Sequence, residues 1–180
     1  MELAKISTRY AKAIYQYAKE KGEEDVLKSE LQMLSEQFLY FPDMQKILEN
    51  PTVENHKKLQ VLMTASGGEE HISHTARRVL KMIVDQDRIE YTRLIALIYE
   101  KIYKEDKNII TASLRSVRKL DEHTKQSLVK LISQDGQKVE FKEEIDESLI
   151  GGFVLQIEDQ RFDASISNQL QEIRKELLKK

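Results

Sequence analysis

His71 and His74, three residues apart with Glu70 four before His74, come nearest to a metal-binding arrangement in this chain. On a helix that spacing puts both imidazoles on one face, yet tetrahedral zinc needs further ligands at suitable spacing, and none is supplied. His56 and His123 lie in segments with no evident link to the pair, and the 180 residues include no cysteine. The pair reads as a solvated first helical turn. The run Glu143-Glu144-Ile145-Asp146-Glu147 offers carboxylates, but general acid–base work wants one carboxyl desolvated and another solvated, and a polar connection provides no such contrast. Ser165 and Ser167, near Asp163, have no histidine base, so helix capping accounts for them. Gly151-Gly152 could cradle a phosphate only with a strand before it and a helix N-terminus after it. A strand pattern follows instead, and no Gly-Lys-Ser/Thr occurs, so the pair reads as a turn needing positive φ. No catalytic, metal or cofactor constellation emerges.

The bulk properties point the same way. A net charge of −2, balanced on both sides of residue 105, lacks the basic stripe of a nucleic-acid binder. With no cysteine there are no disulfides, thiolate nucleophiles or iron–sulfur sites. No apolar run approaches the ~20 residues of a membrane span. Met1 to Ile6 has neither the apolar core of a signal peptide nor the arginine-rich, acid-poor character of a transit peptide. A soluble protein in a cytoplasmic setting is expected, without direct membrane insertion.

The elements that would carry these residues are mostly helices, since two prolines and six glycines leave few breaks. Ile6, Tyr10, Ala13, Ile14, Tyr17 and Ala18 recur at steps of three and four up to Gly22, with Tyr15 off that face. Leu27, Leu31, Leu34, Phe38 and Phe41 continue to Pro42, and a short helix over 43–49 ends at Asn50-Pro51. A fourth helix over 54–65 closes at Gly67-Gly68. A fifth over 70–86 carries Ile72, Ala76, Val79, Leu80 and Ile83, and Asp87 would cap a sixth over 89–104. Loops this short predict an antiparallel six-helix bundle over 1–105.

After Asp106 the period changes. Ile110–Leu114 and Lys138–Lys142 alternate like strands, and Phe153, Leu155 and Ile157 mark a third. A short Arg161–Asp163 strand follows a turn at Asp159-Gln160. Asp121 would cap a helix bearing Leu128, Leu131 and Ile132, ended by Gly136. The last helix, from near Ser165, shows Ile166, Leu170, Ile173 and Leu177. The fold class is therefore mainly α, with a small βαβββα domain over 106–180 whose apolar sheet faces should pack on its own two helices. The apolar surplus of the helical part, with tyrosines at helical spacing, suits a groove for a helix of another chain.

The segment Ile145-Asp146-Glu147-Ser148-Leu149-Ile150-Gly151-Gly152-Phe153-Val154-Leu155-Gln156-Ile157 resembles the C-terminal signature of the delta subunit of F-type ATP synthases, the oligomycin-sensitivity-conferring protein of mitochondria. Arg161-Phe162-Asp163-Ala164-Ser165 resembles its continuation. Arg9-Tyr10-Ala11-Lys12-Ala13-Ile14, Asn50-Pro51 and Val84-Asp85-Gln86-Asp87-Arg88 resemble earlier parts of that family, in order over essentially the whole chain. The family often has proline where Glu147 stands and glycine where Glu158 stands.

The resemblance implies a stator part without catalytic residues, cofactor or metal, one that keeps the catalytic head from turning with the central stalk. It implies that the helical domain grips the N-terminal amphipathic helix of a head alpha subunit between its first and fifth helices. The matching residues are Tyr10, Ala13, Ile14 and Tyr17 with Ala76, Val79, Met82 and Ile83; Ile14 and Ile83 could equally be core. It further implies that the second domain holds the C-terminal end of the peripheral-stalk b subunit, with Leu149, Ile150, Gly151, Gly152 and Asp163 as structural signature. The setting would be the cytoplasmic face of a bacterial plasma membrane. The alternatives are a free-standing adaptor or regulatory module binding amphipathic helices and, more remotely, an enzyme using His71 and His74.

Overall fold

The computed structural model describes residues 2–133 and 137–177, without the side chains of 2, 172, 173, 176 and 177. The chain divides into two compact units, Met1–Asp106 and Lys107–Lys180.

The first unit runs α1 (Glu2–Lys21), α2 (Glu24–Tyr40), α3 (Pro42–Glu49), α4 (Asn55–Ala65), α5 (His74–Asp85), a 3-10 turn (Ile89–Tyr91) and α6 (Thr92–Asp106). α6 packs on both α1 and α2. Its Tyr99 is fully buried and donates its hydroxyl to the Glu24 carbonyl at 3.1 Å. Ala11, Ile14, Tyr15 and Ala18 are the buried stripe of α1, the i, i+3, i+4, i+7 set that forms one helical face. Tyr15 is thus core rather than off the apolar face, because Tyr99 meets it edge-on at 5.5 Å and Asp106 accepts its hydroxyl at 2.9 Å. Tyr10 and Tyr17 flank that stripe and stay partly exposed.

Two helix ends depart from expectation. α5 starts at His74, not Glu70, with Ser73 as N-cap accepting the Ala76 N–H at 3.0 Å. His71 lies in the turn before it, so the two histidines share no helical face. The start is set from 43 residues away: the buried Glu30 carboxylate accepts the Ser73 N–H at 2.5 Å and its hydroxyl at 2.7 Å. A carboxylate suits the positive end of a helix. Glu30→Ala strands both Ser73 donors, and we expect a loss of about 2–3 kcal/mol in unfolding free energy by urea titration; an unchanged urea midpoint would refute this clamp. The other departure is Asp87, which adopts φ 52° and caps nothing ahead of it. The Arg88 N–H donates to the Ile83 carbonyl at 2.9 Å and the Asp87 N–H to Val84 at 3.1 Å, so Asp87 closes α5 in the left-handed conformation that aspartate tolerates.

The second unit runs β1 (Ile109–Ser116), α7 (Glu122–Ile132), β2 (Lys138–Ile145), β3 (Phe153–Ile157), β4 (Gln160–Asp163) and α8 (Ile166–Leu177). The sheet order is β2-β1-β3-β4, with β1 and β2 parallel and the other pairs antiparallel. Asp121 caps α7, accepting the Thr124 N–H at 2.7 Å. Ala112, Leu114, Leu155 and Ile132 form a small core on one face of the sheet, joined by Ile110, Val139, Phe141 and Ile157.

Two expectations are corrected in this unit, and two others reach residues outside those described. Glu143, Glu144 and Ile145 are not a linker but the end of β2, because they pair with Leu114, Arg115 and Ser116. Leu131 is 78% exposed, since Ile132 is the α7 residue that reaches the core. α7 ends at Ile132 with Ser133 following, while Gly136, the expected stop, lies outside the described residues. Only α7 contributes to the sheet core among the described residues. On α8, Ile166 and Leu170 are exposed, and the side chains of Ile173 and Leu177 lie outside the described residues.

Candidate functional site

A cleft of about 600 Å³ opens between α1 and α5. Ile14 and Val79, both nearly buried, form its floor, and Tyr10, Tyr17 and Met82 its walls. Ala13 is exposed and leaves the α1 side low, where a helix backbone could come close. Of the residues anticipated there, Tyr10, Ala13, Ile14, Tyr17, Val79 and Met82 meet in this one cleft. Ala76 and Ile83 do not. They are 1% and 0% exposed, on the α5 face turned into the core.

Arg9, Arg78 and Gln86 complete the lining, and residue-type reasoning missed them. Arg78, Met82 and Gln86 form one i, i+4 row along α5, so following the row through Met82 finds them. Arg78 reaches across to α1: its guanidinium lies 5.5 Å from the Tyr17 ring centre and donates to the Tyr17 hydroxyl at 3.4 Å. Among the described residues no carboxylate lines the cleft.

The signature residues of the second unit gather where β4 meets α8. Gly152 has φ 79°, and a Cβ there would lie 2.2 Å from the Ala164 carbonyl oxygen. The Ile166 N–H donates to the Gly151 carbonyl at 3.0 Å, and a Cβ on Gly151 would meet Ile166 Cδ1 at 2.6 Å. Asp163 Oδ1 accepts the Ser165 hydroxyl at 2.6 Å and its N–H at 3.1 Å, while Asp163 Oδ2 takes Arg161 at 3.0 Å. Leu149 leads into this turn and Ile150 is 71% exposed at its tip. These contacts close a chain reversal.

The Ser165 hydroxyl and backbone N–H hold the Asp163 carboxyl below the usual carboxylate range, with Arg161 adding to the effect. A carboxyl depressed in the folded state stabilises fully above its unfolded pKa of about 4 and loses that contribution as pH falls through the folded value. The melting-temperature gap between wild type and Asp163→Asn should therefore shrink between about pH 7 and pH 3; a constant gap would contradict it.

Among the described residues no three His, Cys, Asp or Glu side chains gather as a metal site, and no helix is long and apolar enough to cross a membrane. The model of the family described as ATP synthase delta (OSCP) subunit matches residues 6–177. The chain belongs to the ATP synthase delta (OSCP) family. An ATP synthase subunit delta from Azobacteroides pseudotrichonymphae is 38% identical over 177 residues, covering 97% of this chain and 98% of that protein. The one from Bacteroides thetaiotaomicron is 33% identical over 181 residues, covering 100% and 97%. Among solved structures, a chain of the Toxoplasma gondii mitochondrial ATP synthase hexamer superposes with a TM-score of 0.67 at 17% identity, covering 96% of this chain and 97% of that one. That likeness concerns the fold: a mostly helical chain with a small four-stranded sheet near its C-terminus. As a delta/OSCP-family subunit, the chain works alongside other ATP synthase subunits.

Proposed function

We propose that this chain is the non-catalytic stator adaptor of an F-type ATP synthase, each unit holding one side of the stator. The first unit, a six-helix bundle, takes up the N-terminal amphipathic helix of a head alpha subunit in the α1–α5 cleft. The second unit holds the C-terminal end of the peripheral-stalk b subunit, at the cytoplasmic face of a bacterial plasma membrane. Torque on the head is then carried to the stalk through packing contacts, a task that requires surfaces and no reacting groups.

The observation that carries this reading is the cleft itself. Its apolar floor, tyrosine walls and small Ala13 shoulder suit a helix laid along two others, where aromatic and methionine side chains supply contact area and adaptability. Membership of the family, with matched residues spanning both units, supports the assignment.

A fragment of residues 1–106 should fold alone, with helical circular dichroism and a cooperative melt, because its core cluster draws only on its own helices. That fragment should bind the alpha N-terminal peptide as the full chain does and fail to bind the b subunit. Loss of both interactions in the fragment would contradict the division of labour. A fragment without cooperative melting would contradict the separate units.

A further inference from the structure

The cleft between α1 and α5 is apolar on its floor, but its edges carry charge of one sign. Lys5, Arg9 and Lys12 follow each other along the outer edge of α1 at steps of four and three. A shallow depression lined by all three, with Ala13 and Gln16, continues the cleft outward across Arg9 and Ala13. Arg78 stands on the α5 side. Among the described residues no carboxylate lines either depression, and none of the three α1 cations forms an ion pair or hydrogen bond with them. By contrast, Lys19 on the same helix is held 2.7 Å from Asp106.

This placement runs against the helix's own interest. Lys5, in the first turn of α1, opposes the helix dipole, and like charges at i, i+4, as in Lys5 and Arg9, repel. Nor does it follow from overall composition, since the chain carries a net charge of −2. A cost without a partner among the described residues points to a partner outside the chain.

Building on the groove reading given above, we infer that the occupant of the α1–α5 cleft is an amphipathic helix with carboxylates flanking its apolar stripe, drawn in and oriented by Lys5, Arg9, Lys12 and Arg78. Tyr17 marks the Arg78 end of the cleft, and Arg9 lies eight residues earlier, about 12 Å along the axis at 1.5 Å per residue. Carboxylates that meet both ends therefore sit about two helical turns apart on the occupant. Charges at the rim of such an interface act mainly on encounter rate, orientation and salt dependence, while the apolar floor supplies most of the affinity.

Three synthetic 20-residue helices sharing one apolar stripe, with flanking positions all Glu, all Gln or all Lys, separate the two contributions, since these residues have similar helix propensity. Calorimetric titration of the full chain at about 50 mM salt should rank them Glu, then Gln, then Lys, with the first two about fivefold apart. The spread should collapse at about 500 mM salt, where the screening length falls to a few ångströms. The variant Lys5→Gln/Arg9→Gln/Lys12→Gln, with its circular dichroism matched to wild type, should lose most of the preference for the Glu over the Gln peptide. Equal affinity of wild type for the Glu and Gln peptides, or full preference kept by the triple variant, overturns the charge inference and leaves the groove reading standing. Ala13→Phe fills the cleft without altering its charge and should weaken all three peptides. If it weakens none, or if wild type binds none, the groove reading fails and this inference with it.

Discussion

Gly152→Ala should unfold the Lys107–Lys180 unit, or leave it molten, while the Met1–Asp106 unit keeps its own transition. At φ 79° an L side chain is strained whatever the space around it, at roughly 1–2 kcal/mol. The added Cβ also lies 2.2 Å from the Ala164 carbonyl oxygen and 3.0 Å from Ser165 Cα. Both are backbone atoms fixed by the Ala164 N–H bond to Phe153 and the Ile166 N–H bond to Gly151, so relief requires breaking the β4–α8 connection. Together these terms place the change in the rare class above about 4 kcal/mol. A small buried core, Ala112, Leu114, Ile132 and Leu155 with their partners, stands against it. Scanning calorimetry of the variant should show the loss of one transition. Gly22→Ala is the control: φ is 68°, but nothing lies within 4 Å of the added Cβ, so only the backbone term of about 1 kcal/mol applies. Equal effects at the two glycines would show that close approach to Ala164 is not what matters.

Ala13→Glu and Met82→Glu should each weaken binding of the alpha N-terminal peptide by about 3 kcal/mol, roughly a hundredfold in Kd. Both positions are exposed in the free chain, so the carboxylate is solvated there and the melting temperature should move by no more than about 2 °C. On docking, the same carboxylate must be stripped of water against an apolar helix face, and a glutamate at 13 also takes up the space that lets that helix approach. Val79→Glu should behave oppositely, because Val79 is 4% exposed and a buried unpaired charge unfolds the bundle before binding is tested. Peptide affinity unchanged by calorimetry in both exposed variants, or unfolding in both, would place the partner elsewhere.

The stability of α5 illustrates why some features could be read from the chain and others could not. Its apolar row Ala76, Val79, Leu80 and Ile83 is a local pattern, legible as soon as a period of 3.6 is tested. Its first residue is not local: it depends on Glu30 reaching Ser73 from another helix. The same holds for Tyr15, which lies beside the apolar row on a helical wheel and is buried because α6 brings Tyr99 to it. It holds again for Glu143–Ile145, whose charged composition suggests a loop until β1 supplies a pairing partner. Leu131 and Ile132 are neighbours of equal hydrophobicity, and only the position of the sheet decides which is core.

By itself, then, the sequence determined the order and type of the elements, the caps at Asp121 and Gly22, the change of period after Asp106, and most of the apolar row of α5. All of these depend on interactions within a few residues, which spacing and side-chain type express directly. Only the tertiary structure decided that the Tyr10–Tyr17 face of α1 and the Arg78–Gln86 row of α5 stand apart as the two walls of a cleft, that Ala76 and Ile83 turn away from it, and that Gly152 presses on the Ala164 backbone. Those outcomes depend on where helices and turns distant in sequence come to rest, and the free energy that decides them lies in packing between elements rather than within any one.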